Sequence, residues 1–243
     1  MNNKWSTLRR VRDNFSAFFD QSFECELCLE PTNSKIGVCQ SCLARLPFPE
    51  YTCSRCSEAT STPGICGKCQ KQPPSFDYSV CSLNYEHPIQ YWIQRCKDRR
   101  DHKQIARLAN IMTMAAPMLA EEPDIVTCIP TTHQRRLIRG FNLSEELAGH
   151  CAKYLGLPFY PQLLKKTRSA DKRRRSARER NEQPSGLTYR NTSSAPNLEG
   201  RRVLIIDDVM TTGSTLEEAA KILKSHGAIS VGGWCLARTP KPR

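Results

Sequence analysis

The stretch "VLIIDDVMTTGST", Val203–Thr215, contains the pattern that decides the fold of this chain. Its first four residues, Val203–Ile206, are apolar without alternation, which is typical of a strand that is covered on both faces. Two adjacent aspartates, Asp207 and Asp208, follow this strand. A small, hydroxyl-rich loop around Gly213 then leads into "LEEAAKIL", which has the pattern of a helix.

This succession of strand, acidic pair, loop and helix predicts a binding site for a phosphorylated sugar. The N-terminus of a helix offers free N–H groups and the positive end of a dipole, and Gly213 lets the backbone approach a phosphate closely. Carboxylates next to a phosphate suit the hydroxyl groups of a sugar. The simpler alternative is a capped helix with solvated aspartates. The loop is not a Walker A loop, because it lacks the Gly-Lys-Ser/Thr ending.

Helix and strand patterns alternate along the chain from about Phe76. A strand precedes a helix after Pro88, and a second helix follows. The later segments are strand "DIVTCIP", helix "NLSEELAGHCAKYLG", strand "RRVLIID", helix "GSTLEEAAKILKSHGA" and strand "ISVGGWCLA". This alternation predicts an α/β domain with a parallel sheet flanked by helices. Ligands of such sheets lie at the carboxyl ends of the strands, where the loops after Ile129 and Ile206 begin.

Eight of the thirteen cysteines lie in four Cys-x-x-Cys pairs between residues 25 and 69. The eight predicted metal ligands are Cys25, Cys28, Cys39, Cys42, Cys53, Cys56, Cys66 and Cys69. Two such pairs complete a tetrahedral shell of four thiolates, so the segment predicts two structural zinc sites in a double zinc ribbon. An iron–sulfur cluster is the alternative. The spacing allows sequential pairing, first with second and third with fourth, or crossed pairing.

The bulk properties indicate a chain without a membrane-spanning segment. It has 243 residues, 39% of them hydrophobic, and a mean hydropathy of −0.54. No stretch approaches the roughly 20 apolar residues that a spanning helix needs. Residues 1–24 have aromatic and apolar residues near helical spacing, which predicts an amphipathic helix packed on the protein, with membrane binding as the alternative. This N-terminal stretch lacks the unbroken apolar run of a signal peptide, so the expected compartment is the cytoplasm, where cysteines bind metal more often than they form disulfides.

Much of the net charge of +12 lies in one short segment. Residues 165–180, "KKTRSADKRRRSARER", contain nine Lys or Arg against two acidic residues. Such a run suits a loop that closes over an anionic substrate, a footprint for nucleic-acid phosphates, or a solvated loop. Its centre is the predicted lid or nucleic-acid contact Lys172, Arg173, Arg174 and Arg175.

The opening stretch resembles the phosphoribosyl-diphosphate signature of type I phosphoribosyltransferases. The cysteine pairs ahead of it, together with "RLIRGFN" at residues 136–142, make the chain similar to the ComF family, which includes GntX-like proteins. The resemblance covers about residues 25–238 and implies a role in natural transformation. The change of pattern along the chain divides it into the N-terminal helix at 1–24, the Cys-rich double zinc ribbon at 25–75 and the α/β part at 76–243, which the resemblance makes a phosphoribosyltransferase-like domain.

The resemblance also implies roles for individual residues. Asp207 and Asp208 are expected to bind the ribose hydroxyls and to act in catalysis. The residues expected at the 5′-phosphate are Thr211, Thr212, Gly213, Ser214 and Thr215. The loop "IPTTHQRRLIRGFN" is expected to meet the pyrophosphate, and its residues there are Thr131, Thr132, Arg135 and Arg139. Two segments depart from the family pattern, namely "KDRRD" at residues 97–101 and the basic run.

Two functions follow from the sequence. In the first, the chain is a phosphoribosyltransferase that uses phosphoribosyl diphosphate and Mg²⁺, with an acceptor that the sequence does not identify. In the second, it is a non-catalytic module that binds single-stranded DNA or serves as an adaptor in the competence machinery. The expected protein partners in either case are a competence helicase or a recombination mediator.

Overall fold

The structure is a computed structural model, and it describes residues 23–99, 101–116, 119–166, 186–193 and 195–240. The chain divides into two compact units, Met1–Arg45 and Leu46–Arg243. Of the predicted N-terminal helix at 1–24, residues 1–22 lie outside the described part, while Phe23 and Glu24 form a strand.

The first unit contains the first two cysteine pairs. Its described elements are β1 (Phe23–Glu24), β2 (Pro31–Thr32) and α1 (Gln40–Leu43), and the two strands pair in antiparallel fashion. Between residues 24 and 45 the buried side chains are Cys25 and Val38. A hydrophobic core of this size is too small to stabilise a fold without further cross-links.

The second unit contains the other two cysteine pairs together with the whole α/β part of the chain. Its helices are α2 (Gly67–Lys71), α3 (Ile89–Arg99), α4 (His102–Met114), α5 (His133–Arg139), α6 (Leu143–Leu155) and α7 (Ser214–Ser225). Its strands are β3 (Tyr78–Asn84), β4 (Ile125–Cys128), β5 (Leu164–Lys166), β6 (Leu187–Tyr189), β7 (Arg202–Met210) and β8 (Ser230–Arg238). The domain boundaries at residues 24 and 75 stay predictions.

Four strands form a parallel sheet in the order β3-β8-β7-β4, which confirms the predicted α/β fold. Helix α6 packs against β7 and β4, and helix α7 packs against β8 and β6. The strands β5 and β6 form a separate antiparallel pair. The centre of β7 and all of β8 are buried. This is the environment predicted for Val203–Ile206, whose unbroken apolar run is typical of a strand covered on both faces.

Two consecutive glycines in β8 let neighbouring layers approach the sheet closely. A Cβ atom at Gly232 would overlap the ring of Tyr78, and one at Gly233 would overlap the side chain of Leu216. The next residue, Trp234, is fully buried and donates its indole N–H to Ser82 Oγ at 2.9 Å. The two small residues thus admit side chains from neighbouring layers, and the large one fills the adjacent space in the sheet.

The strand that carries the acidic pair is longer than predicted. The expected strand ended at Asp207, whereas β7 continues to Met210 because β8 supplies pairing partners as far as Arg238. On its other side, β7 pairs with β4 only as far as the register pair Cys128 and Ile206. Asp207 and Asp208 therefore lie within a strand, but just beyond the point where that strand loses one of its two neighbours.

Candidate functional site

Asp207 is held at the mouth of the sheet by hydrogen bonds. Its Oδ1 atom accepts from Ser144 Oγ at 2.9 Å and from the backbone N–H of Asp208 at 2.9 Å. Ser144 lies in the first turn of α6, where the helix dipole favours a negative charge. Burial nevertheless raises the pKa of Asp207 to about 7, and the charge of Asp208 adds to this effect.

Asp208 is paired with a cation from a different part of the chain. Lys97, near the end of α3, places its Nζ atom 2.7 Å from Asp208 Oδ2. The other carboxylate oxygen, Oδ1, accepts the backbone N–H of Val209 at 2.7 Å. The negative charge of Asp208 is thus balanced by a neighbouring cation, whereas Asp207 receives hydrogen bonds alone.

The segment of residues 211–215, here named the phosphate loop, links β7 to α7. Gly213 has φ of +80°, a left-handed conformation that glycine adopts without strain, and it forms the N-cap of α7. Thr212 Oγ1 accepts the N–H of Ser214 at 3.3 Å and lies 3.0 Å from its hydroxyl oxygen. Thr211, Thr212 and Ser214 are exposed. The loop therefore presents hydroxyls and helix N–H groups to solvent, as an anion site requires.

The segment of residues 129–142, here named the diphosphate loop, follows β4. The sequence predicted an irregular loop here, but the structure contains the short helix α5. Thr132 forms its N-cap, accepting the N–H of Arg135 at 3.3 Å, and Gly140 ends it with φ of +77°. The far end of the segment returns to its start, because Asn142 Nδ2 donates to the carbonyl of Ile129 at 3.0 Å.

The three arginines of the diphosphate loop have different surroundings. Arg136 forms an ion pair at 3.0 Å with Glu145, which lies in the first turn of α6, so the charge of Arg136 is balanced within the protein. Arg135 and Arg139 instead line the cleft that contains the acidic pair. These two arginines are the ones named among the site residues in the sequence analysis, and their role at the diphosphate stays a prediction.

One cleft brings the predicted ribose and diphosphate residues together with Thr215 of the phosphate loop, and it has a volume of about 160 Å³. The other four residues of that loop line a different cavity, namely Thr211, Thr212, Gly213 and Ser214. The lining of the cleft includes Lys97, Thr131, Thr132, Arg135, Arg139, Asn142, Ser144, Lys166, Asp207, Asp208 and Thr215. Four of these residues are cationic and two are acidic, so the cleft suits a ligand that carries several phosphate charges and a hydroxylated centre.

The eight cysteines of the Cys-x-x-Cys pairs form two groups of four, in which the first pair joins the second and the third joins the fourth. The sulfur atoms of Cys25, Cys28, Cys39 and Cys42 lie within 4.8 Å of one another, and so do those of Cys53, Cys56, Cys66 and Cys69. We name these groups the first and the second cluster. The structure thereby excludes the crossed arrangement for these residues and leaves the sequential one.

Both clusters have the same local geometry. The N–H of Cys39 donates to Cys25 Sγ at 3.3 Å in the first cluster, and the N–H of Cys66 donates to Cys53 Sγ at 3.2 Å in the second. Burial alone would raise the pKa of Cys25, but the N–H of Cys39 and neighbouring amide donors lower it to about 6. Four thiolates preorganised in this way fit a tetrahedral zinc ion with no open coordination position. Zinc bound there would stabilise the fold and not carry out chemistry.

Comparison with known proteins identifies the family. Residues 141–243 match the phosphoribosyl transferase domain family. The chain is 31% identical to the DNA utilization protein YhgH of Salmonella typhimurium over 227 residues, covering 88% of this chain and 96% of that protein. It is also 30% identical to competence protein F of Haemophilus influenzae over 224 residues, covering 89% and 97% of the two chains. The chain belongs to the ComF family.

A more distant ComF relative also matches most of the chain. Competence protein ComFC of Bacillus subtilis is 25% identical over 211 residues, covering 83% of this chain and 84% of that protein. The ComF resemblance that was inferred from the cysteine pairs and from "RLIRGFN" is confirmed, as is the phosphoribosyltransferase domain. The helices of the described part include none that is both long and apolar enough to cross a membrane.

The predicted lid of this ComF protein cannot be compared with the structure. Lys172, Arg173, Arg174 and Arg175 lie outside the described residues, between β5 and β6. Lys165 and Lys166, at the start of the basic run, are described, and Lys166 lines the cleft.

Sequence reasoning missed three side chains of the ComF cleft. Lys97 and Ser144 contact the acidic pair, and Asn142 joins the two ends of the diphosphate loop. Lys97 was visible as the first residue of "KDRRD", the segment that departs from the family pattern. Nothing in the sequence pairs Ser144 with Asp207, because the contact spans 63 residues and depends on the packing of α6 on β7.

Proposed function

We propose that this cleft binds phosphoribosyl diphosphate and that the chain acts in DNA uptake as a phosphoribosyltransferase whose acceptor is unidentified. The observation that carries the proposal is the position of the acidic pair. Asp207 and Asp208 lie in one cleft with Thr215 of the phosphate loop and with Arg135 and Arg139 of the diphosphate loop. The names of the relatives, which refer to competence and DNA utilization, support the biological role.

The acidic pair suits the ribose part of the ligand. Asp207 uses Oδ1 for Ser144 and for the N–H of Asp208, and Asp208 uses Oδ1 for the N–H of Val209. Each carboxylate still has acceptor capacity for the 2′- and 3′-hydroxyls, because an ionised carboxylate accepts about four hydrogen bonds. The pair therefore orients the sugar ring while its own geometry is fixed by the backbone.

The two loops suit the ends of the ligand. The 5′-phosphate would take the hydroxyls and N–H groups of Thr211, Thr212, Gly213, Ser214 and Thr215. The diphosphate would take Thr131, Thr132, Arg135 and Arg139. Developing negative charge on a departing diphosphate is stabilised by cations that are already in place, which is the usual contribution of such a site to catalysis.

Magnesium would enter with the diphosphate. The carboxylates among the described residues that line the cleft are Asp207 and Asp208, and both are already engaged by protein donors. Mg²⁺ keeps several waters and is usually bound through substrate phosphates and one or two carboxylates, so the donors present fit it. When bound, it would neutralise part of the diphosphate charge.

Calorimetry with phosphoribosyl diphosphate and Mg²⁺ tests the proposal. The variants Asp207→Asn and Asp208→Asn are expected to weaken binding by about 10- to 100-fold, since a hydrogen bond to a charged group contributes roughly 1.5–3 kcal/mol. Asp98→Asn is the matched control, because Asp98 is exposed on α3 next to Lys97 and does not line the cleft. Lack of binding by the wild type would refute the proposal, and release of diphosphate in a screen of acceptor bases would identify the acceptor.

A second candidate function is binding of single-stranded DNA, alone or as an adaptor for a competence helicase or a recombination mediator. The observation that favours it is a second groove next to the cleft. Its basic lining residues are His133, Arg136, Lys165, Lys166 and Arg190. The basic run at 165–180 begins in this groove. Cations that neutralise backbone phosphates give sequence-independent binding.

A salt series tests this second function. Changing Lys172–Arg175 to alanine removes four charges, so the slope of log affinity against log salt is expected to become shallower by roughly 3, at about 0.7 for each single-strand contact. Changing Arg173–Arg175 to lysine is the control, since it keeps the charge and should keep the slope. An unchanged slope in the alanine variant would remove this run from DNA binding.

We also infer a cytoplasmic location with zinc as the bound metal. The support is the set of eight free thiols in two preorganised clusters, which requires a compartment that keeps cysteines reduced.

A further inference from the structure

Arg238, the last residue of β8, connects the phosphate loop to the second cysteine cluster. Its guanidinium is buried, with 5% of the residue exposed, and donates from Nη1 to the carbonyls of Met210 and Thr211. From Nη2 it donates to Glu58 Oε2 at 2.8 Å. One side chain therefore contacts the last residue of β7, the first residue of the phosphate loop and an acid beside the cluster.

The position of Glu58 is set by the turn that holds the cluster. Glu58 follows Cys56 by two residues, its carbonyl accepts the N–H of Cys53 at 2.8 Å, and the N–H of Ser57 donates to the carbonyl of Cys53 at 2.9 Å. Ser57 has φ of +54°, a left-handed conformation that is uncommon outside glycine. A metal bound by Cys53 and Cys56 would maintain this turn and with it the orientation of Glu58.

The same turn is anchored to the sheet. Ser79 on β3 donates its hydroxyl to the carbonyl of Arg55 at 2.8 Å, and its oxygen lies 3.0 Å from Ser57 Oγ. The cluster and the phosphate loop also face one cavity of about 500 Å³. Its lining includes Cys56, Glu58, Cys69, Phe76, Thr211, Thr212, Gly213, Ser214 and Arg238. The second cluster is therefore a neighbour of the phosphate loop within one compact unit.

We propose that Glu58 and Arg238 are positioning residues that hold the phosphate loop in its binding conformation and couple it to metal occupancy of the second cluster. The proposal rests on the proposed function, because it assumes that residues 211–215 receive the 5′-phosphate. Loss of metal releases Glu58, and Arg238 is then left as a buried charge without its acid, so it cannot stay in place. The carbonyl of Thr211 loses the Arg238 donor, that of Met210 keeps only the N–H of Thr239, and the loop amides that face the phosphate lose their orientation.

Coupling of this kind is reciprocal by thermodynamic necessity. If metal at the second cluster strengthens binding of the phosphate ligand, then the ligand must strengthen retention of that metal by the same factor. The first cluster has the same chemistry but belongs to the other compact unit, and it therefore serves as the matched control.

The first experiment measures ligand affinity. With phosphoribosyl diphosphate and Mg²⁺, Glu58→Gln is expected to bind about tenfold more weakly than the wild type, within the usual range of coupling between sites. Asp124→Asn is the control, since Asp124 pairs with Arg202 at the opposite end of β7 and should change affinity less than about twofold. Cys56→Ser should weaken binding and Cys28→Ser should not.

The second experiment starts from the wild type, whose fold is intact. Zinc release from the wild type to a colorimetric chelator is expected to show two phases, and saturating ligand should slow one of them by about tenfold. Cys28→Ser should retain the protected phase, and Glu58→Gln should lose the protection while keeping its zinc content. Failure of the wild type to bind ligand would refute the proposed function itself. The coupling alone would be refuted if the wild type binds the ligand, Glu58→Gln binds it with equal affinity, and the ligand does not slow zinc release from the wild type.

Discussion

Removal of zinc from this protein is expected to lower its melting temperature by about 10 °C. Between residues 51 and 72 the buried side chains are Cys53, Ser57, Glu58 and Cys69, so this segment has no buried aliphatic or aromatic residue. Small metal sites with so little core depend on the metal for folding. A loss of about 3–5 kcal/mol corresponds to a shift of about 10 °C for a chain of this size.

Metal analysis and thermal unfolding with and without a chelator test this expectation. The native protein should contain about two zinc ions per chain, and added zinc should restore the original transition. Cys151→Ala is the control, because Cys151 is buried on α6, belongs to neither cluster and should leave the metal content unchanged. An unchanged transition in metal-free protein would contradict the prediction, and iron with visible absorption would identify an iron–sulfur cluster instead.

Asp207→Asn is expected to stabilise the protein above pH 7 while it abolishes most ligand binding. Burial and the neighbouring Asp208 raise the pKa of Asp207 to about 7, compared with about 3.9 for an unfolded aspartate. Each pKa unit corresponds to about 1.4 kcal/mol, so ionising this group in the folded protein costs at most about 4 kcal/mol. Because Asp207 is only partly buried, we expect about half of that value.

The sign of this effect determines its pH window. Since the folded pKa is raised, the contribution of Asp207 to stability is fully present below about pH 4 and is lost as the pH rises through about 7. The Asn variant lacks this loss, so its advantage in unfolding free energy should grow between pH 4 and 7 and stay constant above. Denaturant unfolding at several pH values measures it, and Asp98→Asn should follow the wild type. A constant difference across this range would contradict the prediction.

Much of the fold could be predicted because its signals are local. The apolar run of β7, the glycine that caps α7 and the four Cys-x-x-Cys pairs each indicate their structure within a few residues. The bounds of β7 could not be predicted, since its last three residues are strand only because β8 extends as far as Arg238. Helix α5 was not predicted, because the arginines after its N-cap, Thr132, were interpreted as part of a loop that binds the pyrophosphate.

The candidate site was predictable where one segment supplies it and unpredictable where distant segments meet. The phosphate loop and the acidic pair are contiguous in sequence and lie together in the structure. Lys97, Ser144 and Arg238 reach the site through packing of α3, α6 and β8, over separations that no local pattern encodes. The pairing of cysteines was likewise left open by their spacing and is decided by the position of the two turns.

The loss of the β4 neighbour beyond Ile206 has a consequence for self-association. A strand with an open side can recruit a strand from another molecule through its free N–H groups. In β7 the Asp207 carboxylate accepts the N–H of Asp208, which points to the same side of the strand as Ile206, whose carbonyl accepts the N–H of Ile129. The acidic pair thus occupies a backbone donor on the open side and places charge where an incoming strand would add, so the feature that offers the sugar its acceptors also disfavours strand addition at an open edge.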